Sequence, residues 1–408
     1  MTKRPFTPVQ LIVLSCLIEI LSMMTLSTFP SLIPVFRGEW GISNAEAGTI
    51  SGLFFAGELF AVMVLSALTD RMDAKPIFIV GLMLGAISAF GFMLSDDVWT
   101  AGFWRLAQGI ALGGTYMPGL KILTDHLPPS HRARGTSYYT ATYYLAAGLS
   151  YFLALESEPI FGWQWAFGLS GLGPFAAMIM AFWIIPATPP LAKRPDTALF
   201  DYRPVFRNRR ALGLSILYGL HNMELIAFSS WLIPFFVYSQ SVQSAGSWGA
   251  DLNLGSVAAV VSIIALPASV IGNEIAQRIG RQVVIIAVML ASATIAVSFG
   301  LLGTGTFLTL AIVAFLYSMS IAADSSTISA GLVHVAEPRY KGTTISLYSI
   351  FGFTGAAMGP VIFGVALDLN GGESNGTAWA IAFATIAALG LLGPIALWRL
   401  VGFKPIDP

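Results

Sequence analysis

The chain has 408 residues, 56% of them apolar and only 10% charged, and its 21 basic and 21 acidic side chains cancel. A soluble domain is about a quarter charged, so this chain cannot present a wettable surface as one globule and must be solvated largely by lipid. The zero balance gives no sign of a nucleic-acid partner, and the lone Cys16 supports neither an internal disulfide framework nor a cysteine metal knot.

A membrane-crossing helix needs about 20 mostly apolar residues. That rule predicts twelve, at 8–35, 44–68, 76–95, 98–125, 135–156, 163–186, 211–238, 252–278, 282–302, 305–333, 343–368 and 376–401. The first apolar run is too long, and too soon joined by others, for a cleaved signal peptide; it is expected to stay as the first span. With these spans, Lys3, Arg4, Arg71, Lys75, Arg132, Arg134, Lys193, Arg194, Arg203, Arg207, Arg209, Arg210, Arg278, Arg281, Arg339, Lys341, Arg399 and Lys404 fall on one side, and Arg37 alone in a loop on the other. The basic side is therefore expected to be cytoplasmic, with both termini inside and the protein in the plasma (inner) membrane.

The Pro- and Arg-rich stretch 187–210 reads as a cytoplasmic linker between two six-helix bundles, 1–186 and 211–408. The two halves echo each other. Trp231-Leu232-Ile233-Pro234-Phe235-Phe236 repeats Ser31-Leu32-Ile33-Pro34-Val35-Phe36 about 200 residues on, and Lys341-Gly342-Thr343 repeats Arg134-Gly135-Thr136. Such self-similarity is the mark of a duplicated fold.

The ionisable residues expected to be buried within the spans are Glu19, Glu58, Arg105, Lys121, His221, Glu224, Glu274 and Asp324. A charge at mid-membrane costs roughly 2.5–3.5 kcal/mol on insertion scales, so these groups must face one another, water or a substrate. His221 and Glu224 stand one helical turn apart on one face. Lys121 precedes Asp125 by one turn, and a local pair is expected there. No GxxxxGK[ST] phosphate loop and no paired nucleophile and base occur, which argues against an ATP-driven pump or an enzyme; no cofactor is implied.

After the second span comes Ser66-Ala67-Leu68-Thr69-Asp70-Arg71-Met72-Asp73-Ala74-Lys75, and after the eighth Asn273-Glu274-Ile275-Ala276-Gln277-Arg278-Ile279-Gly280-Arg281. Both resemble the G-x-L-x-D-R-x-G-R-R loop of the major facilitator superfamily, with Ser66 and Asp73 where glycine is usual and Gln277 in place of the acid. Arg105-Leu106-Ala107-Gln108-Gly109 is similar to that family's R-x-x-Q-G element. The resemblance covers the chain and implies an all-α membrane protein of two pseudo-symmetric bundles, transporting by alternating access through a cavity between spans one, four, seven and ten. It further implies a cytoplasmic latch at Asp70, Arg71, Lys75, Arg134, Glu274, Arg278, Arg281 and Lys341, and an Arg105 aimed into the cavity.

On this reading Arg105 anchors an anionic group, while Glu19, Glu58, Glu224 and Asp324 take protons or a substrate cation. Tyr116, Asn222 and Trp231 supply polar and stacking contacts, and Glu224, His221 and Asp324 couple transport to protons. The expected partners are a small charged or zwitterionic organic solute or an ion, protons and the bilayer, and the expected state is a monomer. Two alternatives stay open. Met23, His221 and Met223 suit a soft transition-metal cation, and a transporter-shaped receptor or assembly factor would move nothing. Gly355-x-x-x-Gly359-Pro360-x-x-x-Gly364 in the eleventh span reads as close helix packing.

Overall fold

The computed structural model describes residues 6–69, 71–189, 202–244, 246–337 and 340–401. Asp70 of the expected latch, much of the linker (190–201), and Lys3, Arg4, Lys193, Arg194, Arg339 and Lys404 lie outside the described residues. Among the described residues all regular structure is helical. In chain order the helices are α1 (Pro8–Ser22), α2 (Thr28–Ser31), α3 (Ile33–Trp40), α4 (Asn44–Leu68), α5 (Ala74–Phe92), α6 (Val98–His126), α7 (Pro129–Phe161), α8 (Trp163–Ile184) and α9 (Arg203–Arg207). They continue with α10 (Arg209–Ser241), α11 (Leu254–Ile263), α12 (Ala265–Ile279), α13 (Arg281–Leu301), α14 (Phe307–Ala323), α15 (Ser325–Val335), α16 (Lys341–Leu369), α17 (Gly376–Gly390) and α18 (Leu392–Val401).

Nine helical stretches among the described residues are long and apolar enough to cross a bilayer. They are α4, α5, α8, α10, α11 with α12, α13, α14 with α15, α16, and α17 with α18. The sequence predicts twelve, and the other three differ for local reasons. The first span is broken, so α1 has only 15 residues. Helix α6 is 29 residues long but carries Arg105, Gln108, Lys121, Asp125 and His126. Helix α7, with 33 residues, begins near Arg132 and Arg134 and ends near Glu156 and Glu158.

The break in the first span has a plain cause. Pro30 has no N–H and its ring excludes the carbonyl four residues back, so Leu26 loses its helical partner. Three later spans are also interrupted, at Ile264, Asp324 and Leu391. Pro267 and Pro394 sit in the first turns after two of these points, where a missing N–H is tolerated.

The chain forms two compact units, Met1–Phe29 with Gly57–Asp196 and Pro30–Ala56 with Thr197–Pro408. Helix α4 is thus shared, its first half with the second unit and its later half with the first. In the first unit, Ile18, Phe78, Leu82, Ile122, Ala177 and Ala181 form an apolar cluster across α1, α5, α6 and α8. In the second, Leu214, Leu217, Ile285, Met289, Ile328, Leu332, Leu347 and Leu397 do the same around α10.

In the second unit α10 runs close along α16, and glycines allow it. A Cβ on Gly355 would overlap the Gly219 carbonyl oxygen, and one on Gly359 that of Met223. Gly364 likewise meets the backbone of Asn44 at the start of α4. Small residues that let backbones touch are how lipid-embedded helices gain packing energy, which is the reading the eleventh-span glycines suggested.

Candidate functional site

The first unit buries Arg105 in one place and Glu19 with Glu58 in another, while the second groups His221, Glu224 and Asp324. In the first unit Arg105, 1% exposed, turns to the broken span. Its Nη1 donates to the Thr25 carbonyl at 3.2 Å and to Gln108 Oε1 at 2.7 Å, and its Nη2 to the Leu26 carbonyl at 3.5 Å. Phe29 lies under the guanidinium, 5.7 Å from the ring centroid. The Met24 carbonyl, also freed by the break, accepts from Ser150 Oγ at 2.7 Å, and Ser150 Oγ in turn accepts from the Ser27 N–H at 2.9 Å. Arg105 therefore reaches the Leu26 carbonyl, which Pro30 leaves without a helical donor, and the neighbouring Thr25 carbonyl in the same break, a role the sequence reading did not anticipate.

Glu19 points elsewhere. It is fully buried, and its Oε2 accepts from Tyr139 Oη on α7 at 2.6 Å. The same hydroxyl reaches the Tyr116 carbonyl at 3.2 Å, and the Tyr116 and Tyr139 rings pack at 5.7 Å. Glu58, 6% exposed on α4, is near enough to Glu19 for the two carboxyls to interact electrostatically. Lys121 pairs with Asp125 one turn on, the local pair its spacing predicts.

In the second unit the cluster is built on α10. His221 Nδ1 lies 2.9 Å from Asp324 Oδ1, with both side chains buried. Asp324 stands at the junction of α14 and α15. There the Gly272 backbone of α12 comes so close that an added Cβ would overlap the Ala323 carbonyl. Glu224, one turn beyond His221, has hydroxyl partners instead. Its Oε1 accepts from Ser292 Oγ on α13 and from Tyr317 Oη on α14, the latter at 3.0 Å. His221, Glu224 and Asp324 lie within electrostatic reach of one another. Ser292, Tyr317 and Tyr139 were missed by the sequence reading; the signal was a hydroxyl inside an otherwise apolar run.

Other expected site residues sit apart from these groups. Trp231 is fully buried in an aromatic cluster with Phe363 and Trp379, and its Nε1 donates to the Pro360 carbonyl at 3.1 Å. It packs the α10–α16 contact. Asn222 Nδ2 lies against Gly352. Of the soft-cation set, Met23 belongs to the first unit and His221 and Met223 to the second. Among the described residues no three His, Cys, Asp or Glu side chains are grouped to hold a metal.

Around the expected latch, Lys75 Nζ caps α8 through the Phe182 carbonyl at 3.0 Å, and Asp73 Oδ1 accepts from the Lys75 and Thr188 N–H groups, both at 2.9 Å. Arg281 Nη1 bridges to Asn273 Oδ1 at 2.9 Å, joining the end of α12 to α13. A third polar group lies in the second unit. There Asp368 accepts from the Asn44 side chain at 2.7 Å and the Ala45 N–H at 2.8 Å, capping α4 from the last turn of α16. Beside it Arg37 pairs with Glu373 at 3.2 Å. Burial pushes the Glu373 carboxyl above the usual carboxylate range, against the pull of Arg37 and with the repulsion of Asp368.

A lipid-facing helical body with acids, an imidazole and an arginine inside its spans defines a polytopic membrane protein of transporter architecture. A sequence profile of the Major Facilitator Superfamily matches residues 15–323. The chain belongs to that family, whose members are transporters and not enzymes. It is 22% identical over 186 residues to the gallate transporter of Pseudomonas putida, an alignment spanning 45% of this chain and 41% of that one. With the class D tetracycline resistance protein of Salmonella ordonez it shares 23% identity over 378 residues, 90% of this chain and 91% of that one. Its fold is similar to that of the solved nucleoside transporter NupG, at TM-score 0.78 and 16% identity, covering 97% of this chain and 100% of that one.

Proposed function

We propose that this protein is a secondary active transporter that moves a small charged or zwitterionic organic solute across the plasma (inner) membrane by alternating access, coupled to protons. It works as a monomer with both termini cytoplasmic, its two six-helix bundles, 1–186 and 211–408, joined by the linker 187–210. The reading is carried by one observation: Glu224 is buried in a span with hydroxyl donors, Ser292 and Tyr317, as its hydrogen-bond partners. A hydroxyl can donate to a carboxylate or accept from a carboxylic acid, so the pocket holds Glu224 with or without its proton. The neighbouring His221–Asp324 pair offers a second titrating group, since imidazole changes charge near neutral pH. Arg105, engaged by Thr25, Leu26 and Gln108, is assigned to positioning the first span and not to anchoring an anion.

The named relatives supply the first solutes to try, an aromatic acid such as gallate and a nucleoside. Purified protein in proteoliposomes, given an inwardly directed proton gradient, should accumulate at least one member of a panel of aromatic acids, nucleosides and amino acids. A protonophore should abolish that accumulation. Flux indifferent to the gradient for every solute accepted would overturn the coupling, and the absence of any flux would favour a receptor that transports nothing.

A further inference from the structure

A negatively charged solute at membrane depth needs a cation to meet it, and the basic groups inside the first unit are taken. Arg105 is engaged by Thr25, Leu26 and Gln108, and Lys121 by Asp125. In α10 to α18 the described Lys and Arg residues all stand in the first or last turn of their helices. His221, in the middle of α10, is left as the group that can carry a positive charge inside those spans. Its two ring nitrogens differ. Nδ1 lies 2.9 Å from Asp324 Oδ1, whereas Nε2 is buried with no hydrogen-bond partner among the described residues. The residue is 3% exposed, and a buried polar atom left unmatched costs about 1–3 kcal/mol.

A second unmatched atom belongs to the same group. Thr327 Oγ1 is fully buried and without a hydrogen-bond partner among the described residues. Thr327 follows Asp324 by three residues on α15, and that spacing puts the two on one face. The imidazole plane is held as well: Tyr218 stacks nearly parallel to it at 6.1 Å, and Tyr348 stacks on Tyr218 at 3.8 Å. The titratable groups around His221 are Asp324 from the α14–α15 junction, Glu224 and Tyr218 on its own helix, and Tyr348 from α16. None of them is basic. With its Nδ1–H given to Asp324, the ring takes a second proton at Nε2 and then presents Nε2–H as a donor. A carboxylate is the matching acceptor, since one oxygen pair can take Nε2–H and the Thr327 hydroxyl together. Charges then alternate along the row Asp324, His221 and carboxylate, so each nearest contact attracts.

We infer that His221 Nε2 and Thr327 Oγ1 anchor a carboxylate group of the solute, which binds together with a proton carried on the imidazole. The anion anchor thus lies in the second unit, and not at Arg105 as the family resemblance implies. This rests on the transport reading above only in calling the ligand a solute. The step is proton transfer alone: the Nε2–H bond forms as a proton arrives from water, the carboxylate accepts that hydrogen, and the bond breaks as proton and carboxylate leave.

The test reads binding and needs no flux. Benzoate, 4-hydroxybenzoate and nicotinate, each beside its neutral carboxamide, are added above neutral pH to the weakly buffered protein in lipid. At least one acid should bind where its amide does not, taking up a proton for each molecule bound, and its affinity should fall as the pH is raised. The proton uptake should vanish in His221→Gln and persist in Glu224→Gln. Thr327→Val should keep the uptake and weaken binding roughly tenfold, the loss of one hydrogen bond to a charged group. Should His221→Gln fail to fold, 15N-histidine spectra of the combined His126→Gln, His131→Gln and His334→Gln variant isolate the His221 ring. Its Nε2 signal should move to the protonated position when the acid is added. Acid and amide bound alike, no binding of any of the three acids, uptake undiminished in His221→Gln, binding unaltered in Thr327→Val, or an unmoved Nε2 signal would each overturn the inference. Loss of gradient-driven flux in Glu224→Gln with carboxylate binding intact bears only on the coupling, so the two readings fail separately.

Discussion

The duplicated stretch is built differently in its two copies. Ser31–Phe36 and Trp231–Phe236 are near-copies, but Pro30 stands where the second copy has Ser230. In the second unit α10 runs unbroken for 33 residues and carries His221 and Glu224 on its wall. In the first, the helix stops at Ser22 and resumes at Thr28, and the buried Arg105, Ser150 and Thr28 side chains serve the opened backbone. The contrast is that the broken span presents main-chain carbonyls to Arg105, whereas α10 is continuous at the matching positions. Duplication conserved the scaffold and left the chemistry free to diverge: Glu224 and His221 correspond, 200 positions back, to Met24 and Leu21.

The largest stability effect is expected at the second unit's buried His221–Asp324 pair, at a pH where His221 is protonated. Asp324→Asn leaves His221 facing a neutral group in a dry site, and breaking such a pair from one side costs about 3–5 kcal/mol. Denaturant unfolding in detergent micelles should show a drop of that size, and a change below about 1 kcal/mol would mean the pair is screened or solvated as surface pairs are. Next comes the repaired break. Arg105→Gln strips donors from the Thr25 and Leu26 carbonyls, and a buried acceptor left unmatched costs about 1–3 kcal/mol. In a Pro30→Ser background the Leu26 carbonyl can regain a helical donor, so the same change should cost measurably less. A double-mutant cycle reads that difference directly, and full additivity would refute the link between proline and arginine.

The smallest effect lies at a helix end outside the spans. Asp97 caps α6 by accepting from the Thr100 N–H at 2.7 Å, and that bond holds its carboxyl below the ordinary range. Its share of stability is therefore complete above the unfolded carboxylate value and fades as pH falls through its own lower one. Asp97→Ala should lower the melting temperature at neutral pH and converge with the wild type in acid. Parallel curves at all pH values would assign the effect to packing.

Much of the scaffold was legible because it rests on local rules. Apolar length marked the spans, i and i+4 spacing gave Lys121–Asp125, and the glycine row of α16 announced its close packing. Three of the twelve expected spans do not meet an apolar criterion: α1 is interrupted, α6 carries Arg105 and Gln108 in its interior, and α7 has charged residues near both ends. For the candidate site, the sequence supplied buried ionisable residues but not their pairings. Face arithmetic put His221 beside Glu224, yet each took a different partner, Asp324 and the Ser292–Tyr317 hydroxyls. Those partners come from helices about 70 to 100 residues away, and no spacing rule reaches that far. Trp231 looked like a stacking surface for solute because an indole in a span has several uses; Phe363, Trp379 and the Pro360 carbonyl account for it as packing.

The claim on which the rest depends is that Glu224 exchanges a proton during transport. Once a solute is found, Glu224→Gln in proteoliposomes should lose uphill accumulation under an imposed proton gradient while solute-for-solute exchange continues near the wild-type rate. Undiminished gradient-driven uptake by that variant would contradict the account.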